Sequence, residues 1–256
     1  MQKEVYRTIK DYLICQNIKV VNTPKNNINY LNNNLTQEQI INQLNLIVSF
    51  HNTTKNSGKY ILEKINNTTG KTVEKYKIQL NILKRNVKEM KHRTILNNFE
   101  KTIINNSPYF IEKAENCIDK IYLNKYTELI IRSMNNSEIC LGNTYFNNLR
   151  LIGNEIQISN IKKLSYDMVE LDAYYLFNKL KRKNSNINFD NMISKFCYLE
   201  NLNDNSFKFI SFLLEYPSEF IKYCNRYFYK KKRCDINKYH AKLLKAINID
   251  KHYLMR

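Results

Sequence analysis

At 256 residues the chain is long enough for a full-sized core that buries about 70–75% of its unfolded surface, so no disulfide or metal staple is required. Its 41 Lys and Arg against 23 Asp and Glu leave a formal charge of +18, which points to an acidic or polyanionic partner surface. The six cysteines form no C-x-x-C pair and meet no His at zinc spacing, no charge-free apolar run reaches about 18 residues, and the N-terminus lacks a signal-peptide layout; these features predict reduced thiols, no metal, no membrane span and folding in a cytoplasm.

An excess of Asn, Lys, Ile and Tyr reflects AT-rich coding, which also accounts for the scattered N-x-[S/T] triplets. In chain order, Val5 to Ile14 reads as a short helix and Ile18 to Val21 as a short strand, followed by an Asn-rich connector from Pro24 to Asn34. Thr36 and Gln39 form a T-x-x-Q capping box, and Ile40, Ile41, Leu44, Ile47, Val48 and His51 continue along one helical face to about Asn52. His51 could be a ligand or a base, but no partner stands near it in sequence, so a hydrogen-bonded core histidine is expected.

From Lys71 to Asn97 the apolar residues Val73, Tyr76, Leu80, Leu83, Val87 and Met90 step by three and four, predicting a long helix. Its expected partner follows as Phe99, Ile103 and Ile104, a break at Ser107-Pro108, and then Phe110, Ala114, Cys117, Ile118 and Ile121, giving a helical hairpin. Tyr126 to Met134 is a further amphipathic helix. Leu149 to Ile152 and Glu155 to Ile161 flank Gly153-Asn154, a two-residue turn that closes a β-hairpin. The polar residues from Gly142 to Asn148 lie on the loop entering it. The rest reads as helix: one opened by Asp172, then Phe189 to Leu199, Ser206 to Glu215, a segment after Pro217, and a last one capped by Asp235. Tyr216, Phe220, Tyr223 and Tyr227 recur at helical spacing and read as core.

The stretch from Glu138 to Asn160, with two of the four glycines, is the polar interruption of a helical chain and the place where chemistry is expected. Its segment L-G-N-T-Y-F-N-N-L (141 to 149) resembles the H-G-D-x-x-x-x-N-[VL] catalytic loop of the aminoglycoside and choline phosphotransferase superfamily. I-S-N-I (158 to 161) stands where those proteins have I-D-F, and S-Y-D-M-V-E-L-D-A-Y-Y-L (165 to 176) is similar to their Y-D-x-P-x-x-D-L-x-x-L. Within that superfamily the chain resembles the spore-coat kinase-like (CotS-type) family of endospore-forming bacteria. F-H-N-T-T-K (50 to 55) looks like its F-H-x-A-S-K-G. K-Y-K-I-Q-L-N-I-L-K-R (75 to 85) resembles its long basic helix, and F-L-L-E-Y-P-S-E-F-I-K-Y-C-N-R-Y-F (212 to 228) resembles its L-L-x-Y-P-x-K-F-W-K-I-x-N-x-Y-Y. The matches are collinear over about residues 35 to 250.

This resemblance implies a mainly α fold: the C-terminal lobe of a protein-kinase-like protein with one short central β-hairpin, and an N-terminal lobe missing or vestigial. It divides the chain into a vestigial segment and connector over 1–34 and a kinase-like helical lobe over 35–256. In the superfamily the loop Asp handles the substrate proton, while the loop Asn and the hairpin Asp hold the magnesium that bridges the nucleotide phosphates. Here the loop His is Leu141, the loop Asp is Asn143 and the hairpin Asp is Asn160; Asn148 is kept. An amide is no carboxylate base, and magnesium prefers anionic oxygen. Asp172 matches the residue that braces the loop from the next helix.

The expectation is therefore a degenerate, catalytically inactive member: a structural or interaction protein of the bacterial endospore coat, made in the mother-cell cytoplasm, without cofactor or metal, whose partners are other coat proteins with acidic surface. Two alternatives stand beside it. One is a small-molecule phosphotransferase with an atypical site, in which Asn148 and Glu155 or Asp167 stand in for the lost acids. The other is a basic nucleic-acid-binding protein, suggested by the runs Lys179 to Lys183 and Lys230 to Arg233; these read instead as solvated helix ends.

Overall fold

Local sequence signals set most of the helix starts. In the computed structural model, which describes residues 5–21, 35–55, 57–183, 187–230 and 236–252, the side chain of Thr36 accepts from the Gln39 amide and the Gln39 side chain returns to the Thr36 amide, as the capping box predicts. The elements begin with α1 (Ile9–Cys15), β1 (Ile18–Val20), α2 (Gln37–Thr54), α3 (Lys71–Lys91), α4 (Asn98–Leu123) and α5 (Tyr126–Asn135). A strand-rich stretch follows: β2 (Ile139–Cys140), β3 (Leu149–Ile152), β4 (Glu155–Ile158) and β5 (Ser165–Tyr166). The chain finishes with α6 (Glu170–Arg182), α7 (Phe189–Leu199), α8 (Asp204–Glu215), α9 (Ser218–Lys230) and α10 (Ile236–His252). The fold is mainly helical, with its few short strands gathered in two small sheets.

The chain forms two compact units that interleave in sequence, one from 1–70 and 125–211, the other from 71–124 and 212–256. In the first, β3 and β4 pair antiparallel around Gly153-Asn154, with Leu149 opposite Ile158 and Ile152 opposite Glu155. The hairpin has a third strand. β1 runs parallel to β4, with Ile18 opposite Ile156 and Val20 opposite Ile158, so the N-terminal segment extends the hairpin's sheet. Ile18 and Ile158 are both fully buried there. A separate ladder joins β2 to β5, placing Cys140 opposite Ser165, and α2, α6 and α7 pack together beside these strands.

The second unit contains the predicted helical hairpin together with α9 and α10. Val73, Leu80, Leu83, Val87 and Met90 of α3 and Phe99, Ile103, Phe110, Ala114, Cys117 and Ile121 of α4 are all buried. Tyr216, Phe220 and Tyr227 are core, as their spacing suggests, while Tyr223 is half-buried. Tyr216 stacks on Tyr76 with centroids 4.1 Å apart, and Phe220 stacks on Phe110 at 4.2 Å. The buried Asp250 of α10 accepts from the Phe220 amide at 2.8 Å, giving α9 a first-turn carboxylate supplied by another helix.

Two expectations need correcting here. α3 stops at Lys91 rather than Asn97, because Asn97 and Glu100 make another capping box that starts α4. And α4 runs unbroken through Pro108. Proline has no N–H to give the carbonyl four residues back, but the Ser107 hydroxyl donates to that carbonyl, Ile104 O, at 3.1 Å, so the helix continues. The expected Asp235 cap and the Lys231–Arg233 part of the second basic run lie outside the described residues. Replacing Ile18 with Ala should cost about 2–4 kcal/mol, the usual range for emptying a fully buried aliphatic site; an unchanged urea midpoint would show that β1 is not part of the sheet.

Candidate functional site

The loop of residues 141–148 leaves β2 and enters β3, and one buried side chain shapes its start. Asp172, in the first turn of α6 and fully buried, accepts from the Leu141 amide at 2.7 Å and from the Gly142 amide at 2.8 Å. The Asp172 carbonyl takes the Thr144 hydroxyl at 2.8 Å. A helix's first turn favours a carboxylate. Gly142 turns the loop at φ +70, and a Cβ there would stand 2.6 Å from the Lys163 carbonyl oxygen, so only glycine fits. From the other side α2 contributes Gln43, whose amide nitrogen donates to the Thr144 and Leu149 carbonyls at 2.8 and 3.0 Å.

The three amides singled out in the sequence come together. Asn148, buried, donates through its side chain to the Asn143 carbonyl at 2.7 Å and the Asn160 carbonyl at 3.1 Å. The Asn160 side chain accepts from the Lys162 amide at 2.8 Å and is exposed; Asn143 is half-buried. Leu141 is fully buried. Asn148 thus fastens the loop to the chain leaving β4. Of the two acids weighed as stand-ins, Glu155 reaches Lys19 at 2.5 Å, and Asp167 accepts from the Thr68 hydroxyl at 2.7 Å and the Met168 amide at 3.0 Å. Burial pushes the Asp167 carboxyl up to about 6 against the lowering effect of those two hydrogen bonds.

His51 is a core histidine, as its pattern suggested, but it has two partners invisible in sequence. Its Nε2 meets Asp172 Oδ2 at 3.0 Å and its Nδ1 meets Glu200 Oε1 at 2.5 Å. Burial by itself would lower its affinity for a proton; hydrogen bonds to Asp172 and then Glu200 overcome that and raise it from 6.5 to about 10. The ring is therefore an imidazolium between two carboxylates at neutral pH. Cys140 also lies near, the three ligand atoms of His51, Cys140 and Asp172 being within 4.8 Å of one another. An imidazolium has no free ring lone pair, however, and burial pushes the Cys140 thiol well up, with Asp172 the next cause, so it stays protonated and donates to Met168 O. This group is wired as hydrogen-bonded pairs, a poor donor set for a cation.

A second knot of the same kind stands beside the first. Arg132 makes a bidentate contact with Glu170 at 2.8 Å on both arms and reaches Glu138 at 3.0 and 3.1 Å. Burial opposes its charge, but Glu170 and then Glu138 hold its affinity for the proton above the ordinary arginine value. A cavity of about 370 Å³ opens here, lined by His51, Lys55, Arg132, Glu138 and Glu200 among others; Asn143, Asn148 and Asn160 are not among its lining residues. No pattern in the sequence joins Arg132, Glu138 and Glu170 or points to Gln43, since each needs the folded chain to bring it to its partner.

A solved structure, an aminoglycoside phosphotransferase from Alicyclobacillus acidocaldarius subsp. acidocaldarius DSM 446, matches with a TM-score of 0.67 at 10% identity, over 91% of this chain and 67% of that one. The fold is that of a kinase-like phosphotransferase. No family model and no curated protein matches the sequence.

The His51 pair makes a pH prediction. A histidine whose proton affinity rises on folding contributes stability in full below its unfolded value of 6.5 and loses it as pH climbs through about 10. The urea midpoint should therefore fall between those limits more steeply in this protein than in its His51→Gln variant; parallel profiles would show that the ring is not charged.

Proposed function

We propose that this chain is a catalytically silent kinase-like protein, a structural or interaction component of the bacterial endospore coat made in the mother cell. The observation that carries the reading is the Asn148 side chain, which donates to the Asn143 and Asn160 carbonyls at the three positions where the resembling proteins place a base and their metal ligands. One side-chain amide closes the loop through two backbone carbonyls. A phosphoryl-transfer site has to neutralise charge on the moving phosphate, usually through a magnesium ion held by carboxylate oxygen, and positions 143 and 160 offer none.

The aminoglycoside phosphotransferase with this fold suggests a second reading, phosphate transfer to a small molecule by an atypical site. That reading needs an acid near Asn148. Glu155 is engaged with Lys19, and Asp167 with Thr68; their present partners favour structural roles. The coat assignment is supported by the collinear motifs between residues 35 and 250, and the charge of +18 suits acidic coat partners.

The test has two arms. With magnesium, radiolabelled ATP and a panel of aminoglycoside acceptors, the purified chain should release and transfer no phosphate above a protein-free control. Turnover near the ordinary kinase range of about 1 per second or faster would overturn the reading. In a spore-forming host, a tagged copy should fractionate with the extracted coat; recovery only in the soluble mother-cell fraction would remove the coat role.

A further inference from the structure

Three lysines gather beside the loop. Lys179, in the last turn of α6, places its ammonium 3.6 Å from the centre of the Tyr145 ring, and Lys183, at the end of the same helix, lies 5.0 Å from that centre. Lys163, on the segment between β4 and β5, packs its backbone against Gly142 so closely that a Cβ at Gly142 would be 2.9 Å from Lys163 Cβ. Among the described residues no ion pair links a carboxylate to Lys163, Lys179 or Lys183.

Lysines crowded in this way repel one another, and the half-buried Lys179 registers it: burial, then Lys183, Arg182 and Lys163, press its ammonium down to about 8. The ring face contributes a weak attraction to a cation but brings no counter-charge. Tyr145 adds a second, independent observation. It is only 5% exposed, and its hydroxyl is buried without a hydrogen-bond partner among the described residues. Buried polar groups are normally satisfied, and an orphan in a native structure points to an absent partner. Elsewhere in the same unit, Arg132 and His51 each sit between two carboxylates. Here the fold gathers cations that, among the described residues, share no ion pair with an acid.

We propose that the end of α6 and the β4–β5 segment form a metal-independent site for a multiply charged phosphate-type anion, held by Lys163, Lys179 and Lys183 around Tyr145. Ammonium groups on separate segments suit a compact anion with several charged oxygens, and the amides at Asn143 and Asn160 add no negative charge to repel it. The site does not depend on the absence of catalysis, so its test is run without magnesium.

The intact chain is titrated calorimetrically with pyrophosphate, and separately with inorganic phosphate, in EDTA at about 0.15 M salt, where long-range attraction is screened. Pyrophosphate should bind, and inorganic phosphate about tenfold more weakly. The Lys179→Gln/Lys183→Gln variant should lose at least about tenfold in affinity. Lys88→Gln/Lys91→Gln removes the same charge from exposed positions in α3 and should bind like the parent. If the α6 variant does not fold, the exposed Lys163→Gln serves in its place and should weaken binding severalfold. No binding by the parent chain, or equal losses in the α6 and α3 variants, would overturn the proposal. Either failure leaves the assignment of catalytic silence untouched, because that rests on magnesium-dependent turnover.

Discussion

The buried carboxylate of Asp172 is the constraint on which the centre of the molecule depends. Its two oxygens hold the Leu141 and Gly142 amides and the His51 ring, while its own carbonyl takes the Thr144 hydroxyl. A carboxylate taken out of water with no compensation costs several kcal/mol. Here the helix start, two N–H groups and an imidazolium compensate it. His51 carries that compensation onward to Glu200 at the end of α7, so α2, α6, α7 and the loop are joined through one chain of charges. Removing His51 would leave two carboxylates in the interior without the cation they share.

What the loop does with this support differs from what its layout suggests. The turn at Gly142, the buried Leu141 and the pinned Thr144 keep the shape, yet positions 143, 148 and 160 all carry neutral amides. Asn148 satisfies the Asn143 and Asn160 carbonyls and so contributes to holding the hairpin. Under the reading proposed above, a scaffold suited to positioning phosphate and metal is retained for its rigidity, with acid chemistry absent and lysines left nearby. Structure of this kind can serve docking, where a fixed surface matters and reacting groups do not.

Much of this architecture was legible in sequence where it is local. The capping box at Thr36, the three-and-four spacing of α3, the turn at Gly153-Asn154 and the boundaries of α7 are patterns that span a few residues, and the folded chain keeps them. The Asn97–Glu100 box obeys the same rule, but the apolar periodicity running past it masked the end of α3. Pro108 misled because a single hydroxyl, Ser107, offsets the hydrogen bond that proline cannot make. Contacts distant in sequence were the hidden part. His51 lies 121 residues from Asp172 and 149 from Glu200, and β1 finds β4 across more than half the chain; periodicity carries no record of such pairs. The loop itself was visible through its resemblance to phosphotransferase motifs, whereas the cations around Tyr145 needed α6 and the β4–β5 segment to be brought together.

Under the reading proposed above, a loop braced by Asp172 and closed by Asn148 offers no place for a metal-bound nucleotide. Equilibrium titration of the intact chain with ATP, run once with excess magnesium and once with EDTA at the same ionic strength, tests it most directly. Magnesium should bring no gain in affinity, whatever the bare anion does at the lysines. Micromolar binding that appears only with magnesium would contradict it.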